Sequence, residues 1–271
     1  MPRNFMICLI LLSAADIYIL IITIKYLFPN FSKMAAIYMR MLGYTVTLTM
    51  HGCNMFVMNN LLHGPVMEDP NIRTFTAMYK RFFTVWTMFL QIFLASLGLT
   101  SDYLTLKYSN KTEPHWLGVI RSTKNRLFAA VLWPTVFLVS TLFWSLYHYD
   151  RSLIYPLFAD KILSSTANHI LHTAVVPLVV WELVFQPRSV PKSHAVNVTM
   201  LTVYMLTYLF VMYYTYVEHG IWMYPIFGIA YDTHFCFPLI ITAIGVMLFV
   251  YYHMQWVLTM IVWGSREKIK K

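Results

Sequence analysis

The sequence predicts an all-α fold: a polytopic membrane helix bundle of about seven transmembrane helices, forming a single integral-membrane domain over residues 1–271. Three observations support this prediction. Of the 271 residues, 59% are hydrophobic and only 11% are charged, which is too apolar for a soluble globular domain. Charge-poor stretches of about 18 or more residues recur along the chain, each long enough to cross a bilayer as a helix. The alternating pattern of a membrane β-barrel is absent.

Seven hydrophobic runs are predicted to be helices. They are Phe5–Ile24, Met41–Leu62, Phe82–Leu99, Leu127–Tyr147, Asn168–Gln186, Val196–Val217 and Thr233–Trp263. The first run is favoured as an anchor over a cleaved signal sequence, because it is long, contains Asp16 and lacks a small-residue cleavage site. The last run is long enough to predict tilt or an interfacial end. The segments "SNKTEPH" and "FQPRSVPKSH" are predicted to be loops.

The distribution of the basic residues predicts the orientation of the chain in the membrane. No nucleic-acid partner is expected. The formal net charge is +9, but the lysines and arginines fall in predicted loops and at predicted helix ends. Most of the 20 lie on one side when the predicted loops alternate. The positive-inside rule then places the N-terminus outside and the "SREKIKK" tail in the cytosol. The expected surroundings are membrane lipids, in either the plasma membrane or the endoplasmic reticulum, and the sequence does not specify the oligomeric state.

Histidines in the segment "TANHILHTAVVP" raise the question of a metal site. His169 and His172 lie three residues apart, but the other histidines are dispersed and neither HxxHH nor HExxH occurs. The three cysteines have no paired spacing either, lying at Cys8, Cys53 and Cys236. The sequence therefore predicts neither a metal nor a cofactor.

Polar residues inside the hydrophobic runs allow both structural and catalytic interpretations. Asp16 and Glu182 are expected to pair with neighbouring helices. His172 is either a hydrogen-bonded packing residue or a general base. Asn168 precedes it by four residues, shares its helix face and can fix the ring tautomer. An apolar wall also keeps the imidazole neutral and able to accept a proton.

Thr84 is the candidate nucleophile, because no GxSxG motif occurs. It lies about one turn inside the predicted third helix, and Gln91 follows seven residues later on the same face. From the pattern alone, a hydrogen bond from Thr84 to its own helix backbone is the favoured alternative. The third and fifth helices run in the same direction, however, so Thr84 and His172 are predicted to lie at similar depth. The sequence does not show whether these helices touch.

Four motifs carry a family resemblance. "KRFFTVWTMFLQ", "LFWSLYHYDRSLIYP", "NHILHTAVVPLVVWE" and "GIWMYP" resemble the androgen-induced and androgen-dependent TFPI-regulating protein family, in the same order over Gly52 to Trp263. The resemblance implies an integral-membrane threonine hydrolase of fatty acid esters of hydroxy fatty acids. Thr84 is then the nucleophile, with Phe82 before it and Gln91 after it, and His172 is the base.

Two features depart from the family pattern. The family has six predicted helices, so the run Phe5–Ile24 is additional. Thr87 stands where relatives carry an acidic or amide residue, so polar support from that position is not expected.

The implied chemistry needs further groups. An acyl-threonine mechanism requires an oxyanion donor, and Asn168 and His169 are candidates. Gln91 lies roughly 10 Å along the helix from Thr84 and is less suitable. Arg151 or Tyr155 could hold the free carboxylate of the substrate, whereas a weak loop ion pair is the alternative for Arg151.

Two other classes of function remain open. A non-enzymatic membrane regulator or scaffold would use these polar residues only for helix packing. A seven-helix receptor would be expected to show DRY and NPxxY motifs, which do not occur, and a transporter would show broken helices in paired halves.

Overall fold

The computed structural model describes residues 32–233 and 235–268, with side chains described as far as Gly264. Within these ranges the chain is helical and contains no strand. The α-helices, in chain order, are α1 Lys33–Leu62, α2 Pro70–Met78, α3 Phe83–Lys107, α4 His115–Leu127, α5 Trp133–Asp150, α6 Ser165–His172, α7 Val175–Phe185, α8 Ala195–His219, α9 Pro225–Asp232 and α10 Cys236–Lys268. The predicted anchor Phe5–Ile24, with Cys8 and Asp16, lies outside the described residues.

The all-α polytopic bundle is confirmed, but seven spans are not. Five helical stretches of the described chain are long and apolar enough to cross a membrane: Phe83–Lys107, His115–Leu153, Ser165–Phe185, Ala195–His219 and Cys236–Gly264. The helix α1 contains the predicted run Met41–Leu62 but is not among them. A π-helical turn, Phe128–Leu132, joins α4 to α5, so the predicted span Leu127–Tyr147 belongs to a longer helical segment.

The helix α5 occupies the centre of the bundle. Trp133 and Val136 are fully buried, and the indole of Trp133 donates to the main-chain oxygen of Tyr251 in α10 at 3.0 Å. On the other side of the bundle, α1 packs along α3. A side chain at Gly98 would overlap the ring of Tyr44, so glycine permits this close approach. Burial of these apolar faces holds the helices that carry the site.

The prediction that basic residues lie only in loops and at helix ends is wrong for Arg40. This residue lies within α1, and its guanidinium donates to both carboxylate oxygens of Asp102 in α3, at 2.6 and 2.8 Å. A third donor reaches the main-chain oxygen of Phe185 at 3.0 Å. A buried charge is tolerated because it is paired and hydrogen-bonded. The pair therefore links α1, α3 and the end of α7.

Lys124 departs from the prediction in the same way. It lies in α4, where a loop was predicted, and its side chain is only 2% exposed. It donates to the carboxylate of Glu182 at 2.6 Å and to the hydroxyl of Tyr44 at 2.8 Å. The predicted pairing of Glu182 with a neighbouring helix is confirmed.

The predicted single helix Asn168–Gln186 is broken into α6 and α7 at Thr173 and Ala174. Pro177 has no N–H to donate, and its ring would clash with the carbonyl of Thr173 in a continuous helix. Instead, the amide of Ala174 donates to the main-chain oxygen of His169 at 2.9 Å. The break places His172 at the last residue of α6, within the stretch Ser165–Phe185.

Candidate active site

Thr84 occupies the second position of α3, closer to the helix start than predicted. Phe82 has extended backbone angles, and the helix begins at Phe83. The carbonyl of Lys80, four residues before Thr84, accepts a hydrogen bond from the indole of Trp86 at 3.1 Å. The Thr84 hydroxyl lies instead 3.3 Å from Nε2 of His172. The structure therefore joins Thr84 to His172, and the alternative bond to its own helix is not observed.

The ring of His172 is held in one orientation. Its Nδ1 lies 2.8 Å from Oδ1 of Asn168 and 3.1 Å from the main-chain oxygen of Asn168. Because a main-chain oxygen can only accept, Nδ1 carries the hydrogen and the lone pair of Nε2 faces Thr84. The ring also stacks on Phe143, with centroids 3.6 Å apart and planes inclined by 11°. This arrangement leaves Nε2 able to accept the hydroxyl proton of Thr84.

Thr84 and His172 line a cavity of about 570 Å³. This volume is in the range of small-molecule sites. The cavity wall is mostly aliphatic and aromatic, and its few polar members include Asn71 and Thr74 of α2. The 3.3 Å separation of Thr84 and His172 is longer than an ordinary O–H···N bond, as is common for catalytic pairs before a substrate binds.

Gln91 and His169, the other predicted supporting residues, are not brought to this cavity. Gln91 forms no hydrogen bond with Thr84 or His172. Its Oε1 lies 2.8 Å from Nε2 of His51, and its amide nitrogen lies 3.5 Å from the main-chain oxygen of Val175. It joins α1, α3 and α7. His169 is exposed and stacks on Trp144, with ring centroids 5.0 Å apart. Its Nδ1 lies 3.1 Å from the hydroxyl of Thr173, and the ring does not line the cavity.

The residues predicted to bind a carboxylate lie beside the cavity. Arg151 pairs with Asp160 at 2.7 Å, and its guanidinium lies over the rings of Tyr147 and Tyr155. Tyr155 lines the cavity and donates its hydroxyl hydrogen to the oxygen of Leu163 at 3.2 Å. Burial, together with the Asp160 carboxylate, raises the pKa of Tyr155 to about 12, so the phenol is neutral. Of the two, only Tyr155 reaches the cavity wall.

Sequence reasoning gave no role to Tyr224, although the motif "GIWMYP" contains it. Its hydroxyl accepts a hydrogen bond from the main-chain nitrogen of Phe83 at 2.9 Å, and its ring packs edge-on against Phe82 at 5.3 Å. Burial raises the pKa of the Tyr224 phenol. The residue lies 140 positions after Thr84, and only the quoted motif could have drawn attention to it.

In the residues the structure describes, no group of three or more histidine, cysteine, aspartate or glutamate side chains is arranged to hold a metal ion.

The chain resembles several known proteins. The model of the FAR-17a/AIG1-like protein family matches residues 39–259. The androgen-dependent TFPI-regulating protein of Mus musculus is 29% identical over 148 residues, which is 55% of this chain and 62% of that protein. The Homo sapiens protein of the same name is 28% identical over 159 residues, 59% of this chain and 66% of that protein. The androgen-induced gene 1 protein of Homo sapiens is 28% identical over 170 residues, 61% of this chain and 70% of that protein.

The match to the mouse relative spans less than two thirds of that protein's length. No solved structure matches the chain.

Proposed function

The chain belongs to the FAR-17a/AIG1-like protein family, and we propose that it is a multi-pass membrane hydrolase that cleaves fatty acid esters of hydroxy fatty acids. We propose that it acts in the plasma membrane or the endoplasmic reticulum. One observation carries the proposal: a threonine hydroxyl lies 3.3 Å from the lone pair of an oriented histidine, in the wall of an apolar cavity. A hydroxyl needs such a base before it can attack an ester.

The reaction follows the acyl-enzyme scheme. Nε2 of His172 takes the hydroxyl proton as the Thr84 oxygen attacks the ester carbonyl, which gives a tetrahedral oxyanion. When the intermediate collapses, the bond to the hydroxy fatty acid oxygen breaks, and the His172 imidazolium donates its proton to that oxygen. The acyl group remains on Thr84. Water, deprotonated by His172, then releases the fatty acid and restores the threonine hydroxyl.

The apolar lining of the cavity favours a substrate with two hydrocarbon chains. Its walls come from two separate hydrophobic clusters of the described chain. One cluster contributes Leu163 and Leu171, and the other contributes Met212 and Phe227. The partly buried Phe82, two residues before Thr84, packs against both clusters. An ester bond placed at Thr84 would therefore have apolar surface available on either side for its acid and alcohol chains.

The test uses the purified full chain in detergent, with hydrolysis of a lipid-ester panel and labelling by a fluorophosphonate probe as readouts. We expect Thr84→Ala to abolish labelling and to reduce turnover by at least about 10³-fold. Thr87→Ala is the matched control, because its buried hydroxyl has no hydrogen-bond partner in the described structure and lies in the same helix. Undiminished labelling and turnover in Thr84→Ala would refute the proposal.

A non-enzymatic regulator is the second candidate. The observation that favours it is a name: relatives of this chain are described as regulating TFPI. That candidate predicts no lipid-ester turnover by the purified native chain, so the same assay separates the two.

A further inference from the structure

When Thr84 attacks the ester, the carbonyl oxygen gains a negative charge, and a hydrogen-bond donor must stabilise that charge. The groups considered from sequence do not supply one. Asn168, His169 and Gln91 are not among the residues that line the cavity, and Gln91 and His169 are hydrogen-bonded elsewhere. The required donor has to lie beside Thr84 and point into the space where the substrate binds.

Tyr224 meets the positional requirement. Its hydroxyl oxygen lies 2.9 Å from the main-chain nitrogen of Phe83, the residue directly before Thr84. Tyr224 and Thr84 both line the same cavity. The edge-on contact with Phe82 holds the Tyr224 ring on this side of the helix start. The phenol hydroxyl is therefore fixed next to the proposed nucleophile by packing and by a main-chain hydrogen bond.

The hydrogen bonds of Tyr224 leave its own hydrogen available. The oxygen accepts from the Phe83 nitrogen, and the hydroxyl of Tyr208 donates to it at 3.4 Å. A phenol oxygen has two acceptor sites, so both are used by these neighbours. Within the described structure, the hydroxyl hydrogen of Tyr224 has no assigned acceptor. It is free to donate to a ligand in the cavity.

The surroundings also strengthen Tyr224 as a donor. The two donated hydrogen bonds draw electron density from its oxygen, and the amino end of the 25-residue helix α3 adds a positive partial charge. Burial raises the pKa of the phenol, so it stays protonated at neutral pH. A neutral donor at a positive helix end is suited to an oxyanion and adds no charge to the apolar wall.

We infer that Tyr224 is a catalytic residue whose hydroxyl stabilises the oxyanion formed when Thr84 attacks the ester, with Tyr208 as its positioning residue. This inference rests on the proposed function. No covalent change occurs at Tyr224: its hydroxyl hydrogen bonds to the oxyanion and returns to its resting position when the carbonyl re-forms.

Steady-state hydrolysis by the purified full chain gives the first test. Loss of one oxyanion donor predicts a fall in kcat on the order of 100-fold for Tyr224→Phe, with KM nearly unchanged. Tyr208→Phe keeps the donor and removes only its support, so we expect a fall of roughly 3-fold to 10-fold. Active Thr84→Ala would refute the proposed function itself. Inactive Thr84→Ala together with Tyr224→Phe within about 3-fold of native kcat would overturn only the role of Tyr224.

Inhibitor binding separates catalysis from a structural role. A lipid trifluoromethyl ketone forms a tetrahedral adduct with the threonine, whereas an ether analogue of the substrate binds without one. We expect Tyr224→Phe to weaken the ketone on the order of 100-fold and to leave the ether unchanged. Equal weakening of both ligands would show that Tyr224 only shapes the cavity, and would refute the inference.

A further variant covers the case in which Tyr224→Phe does not fold. Incorporation of 3,5-difluorotyrosine at position 224 preserves the ring size and both accepted hydrogen bonds, and it lowers the phenol pKa. Because only the protonated phenol can donate, we expect the alkaline limb of the kcat profile to move to lower pH. A profile identical to that of the native chain would overturn the inference.

Discussion

Among the regions of the described bundle that hold buried or partly buried polar side chains, two differ clearly in charge and in free space. The first, the ion-pair region, consists of Arg40, Asp102, Lys124 and Glu182. Each charge has an opposite charge at 2.6 Å. The cavity beside these pairs has a volume of about 20 Å³, room for about one water. These residues hold helices together and leave no space for a ligand.

The second region, the cavity region, consists of Thr84 and His172. Both groups are polar without a formal charge in the tautomer described, and they face a cavity of about 570 Å³. The contrast shows that polarity inside a membrane bundle does not by itself indicate chemistry. A candidate site is distinguished by a histidine nitrogen that can accept a proton from a neighbouring hydroxyl, with both groups lining a cavity large enough for a ligand. The experiments that follow test this distinction, from the largest expected effect to the smallest.

His172→Ala is expected to have the largest effect on activity. Removing the base leaves the Thr84 hydroxyl protonated, and turnover should fall by about 10³-fold to 10⁴-fold in a hydrolysis assay. His169→Ala is the control, since that ring lies outside the cavity and should leave turnover unchanged. Loss of activity in both variants would contradict the separation of these two histidines.

Lys124→Met should affect folding rather than chemistry. It leaves the Glu182 carboxylate buried without its partner, which costs about 3–5 kcal/mol of the free energy of unfolding. The measurement is denaturant unfolding in mixed micelles, with kcat corrected for the folded fraction. We expect the double variant Lys124→Met with Glu182→Leu to recover most of the lost stability. A double variant no more stable than the single one would show that the pair is not the source of the effect.

Asn168→Ala is expected to have an intermediate effect on activity, because Asn168 orients His172 of the cavity region. The main-chain oxygen of Asn168 still accepts from Nδ1 of His172, so only one of two orienting bonds is lost. A bond of this kind corresponds to roughly a 10-fold fall in kcat. Asn168→Asp retains the acceptor and is expected to lose less. If Asp and Ala variants were equally impaired, the acceptor would not be the relevant feature.

Arg151→Gln should have the smallest effect, confined to substrates with a free carboxylate. The guanidinium is partly exposed and already paired with Asp160, so its contribution to binding is small. We expect KM to rise by about 2-fold to 5-fold for a free acid and to remain unchanged for its methyl ester. Asp160→Asn releases Arg151 and should lower KM for the free acid. Equal KM changes for acid and ester would exclude a carboxylate contact.

Hydropathy predicted most of the fold, because lipid requires long apolar helices. Pairings distant in sequence were not predictable, since Arg40 and Asp102 lie 62 residues apart and no local pattern relates them. The break before α7 had a visible signal, Pro177, which a prediction of one continuous span overlooked.

The candidate site was predictable to a similar extent. Helix direction predicted that Thr84 and His172 lie at similar depth, but their contact required the packing of α3 against α6. Tyr224 was missed because a role for it depends on where its hydroxyl meets α3. The catalytic roles of all three residues remain proposals that the variants above address.

The break between α6 and α7 has a consequence for how a lipid reaches Thr84. The eight-residue helix α6 rises only about 12 Å and ends at His172. Since His172 meets Thr84, the second residue of the spanning helix α3, the reactive pair lies at the end of that helix where the chain enters it. For the proposed hydrolase, we therefore expect turnover to depend on how readily an ester leaves its lipid neighbours at that end of the bundle, and so on acyl-chain order in the host membrane.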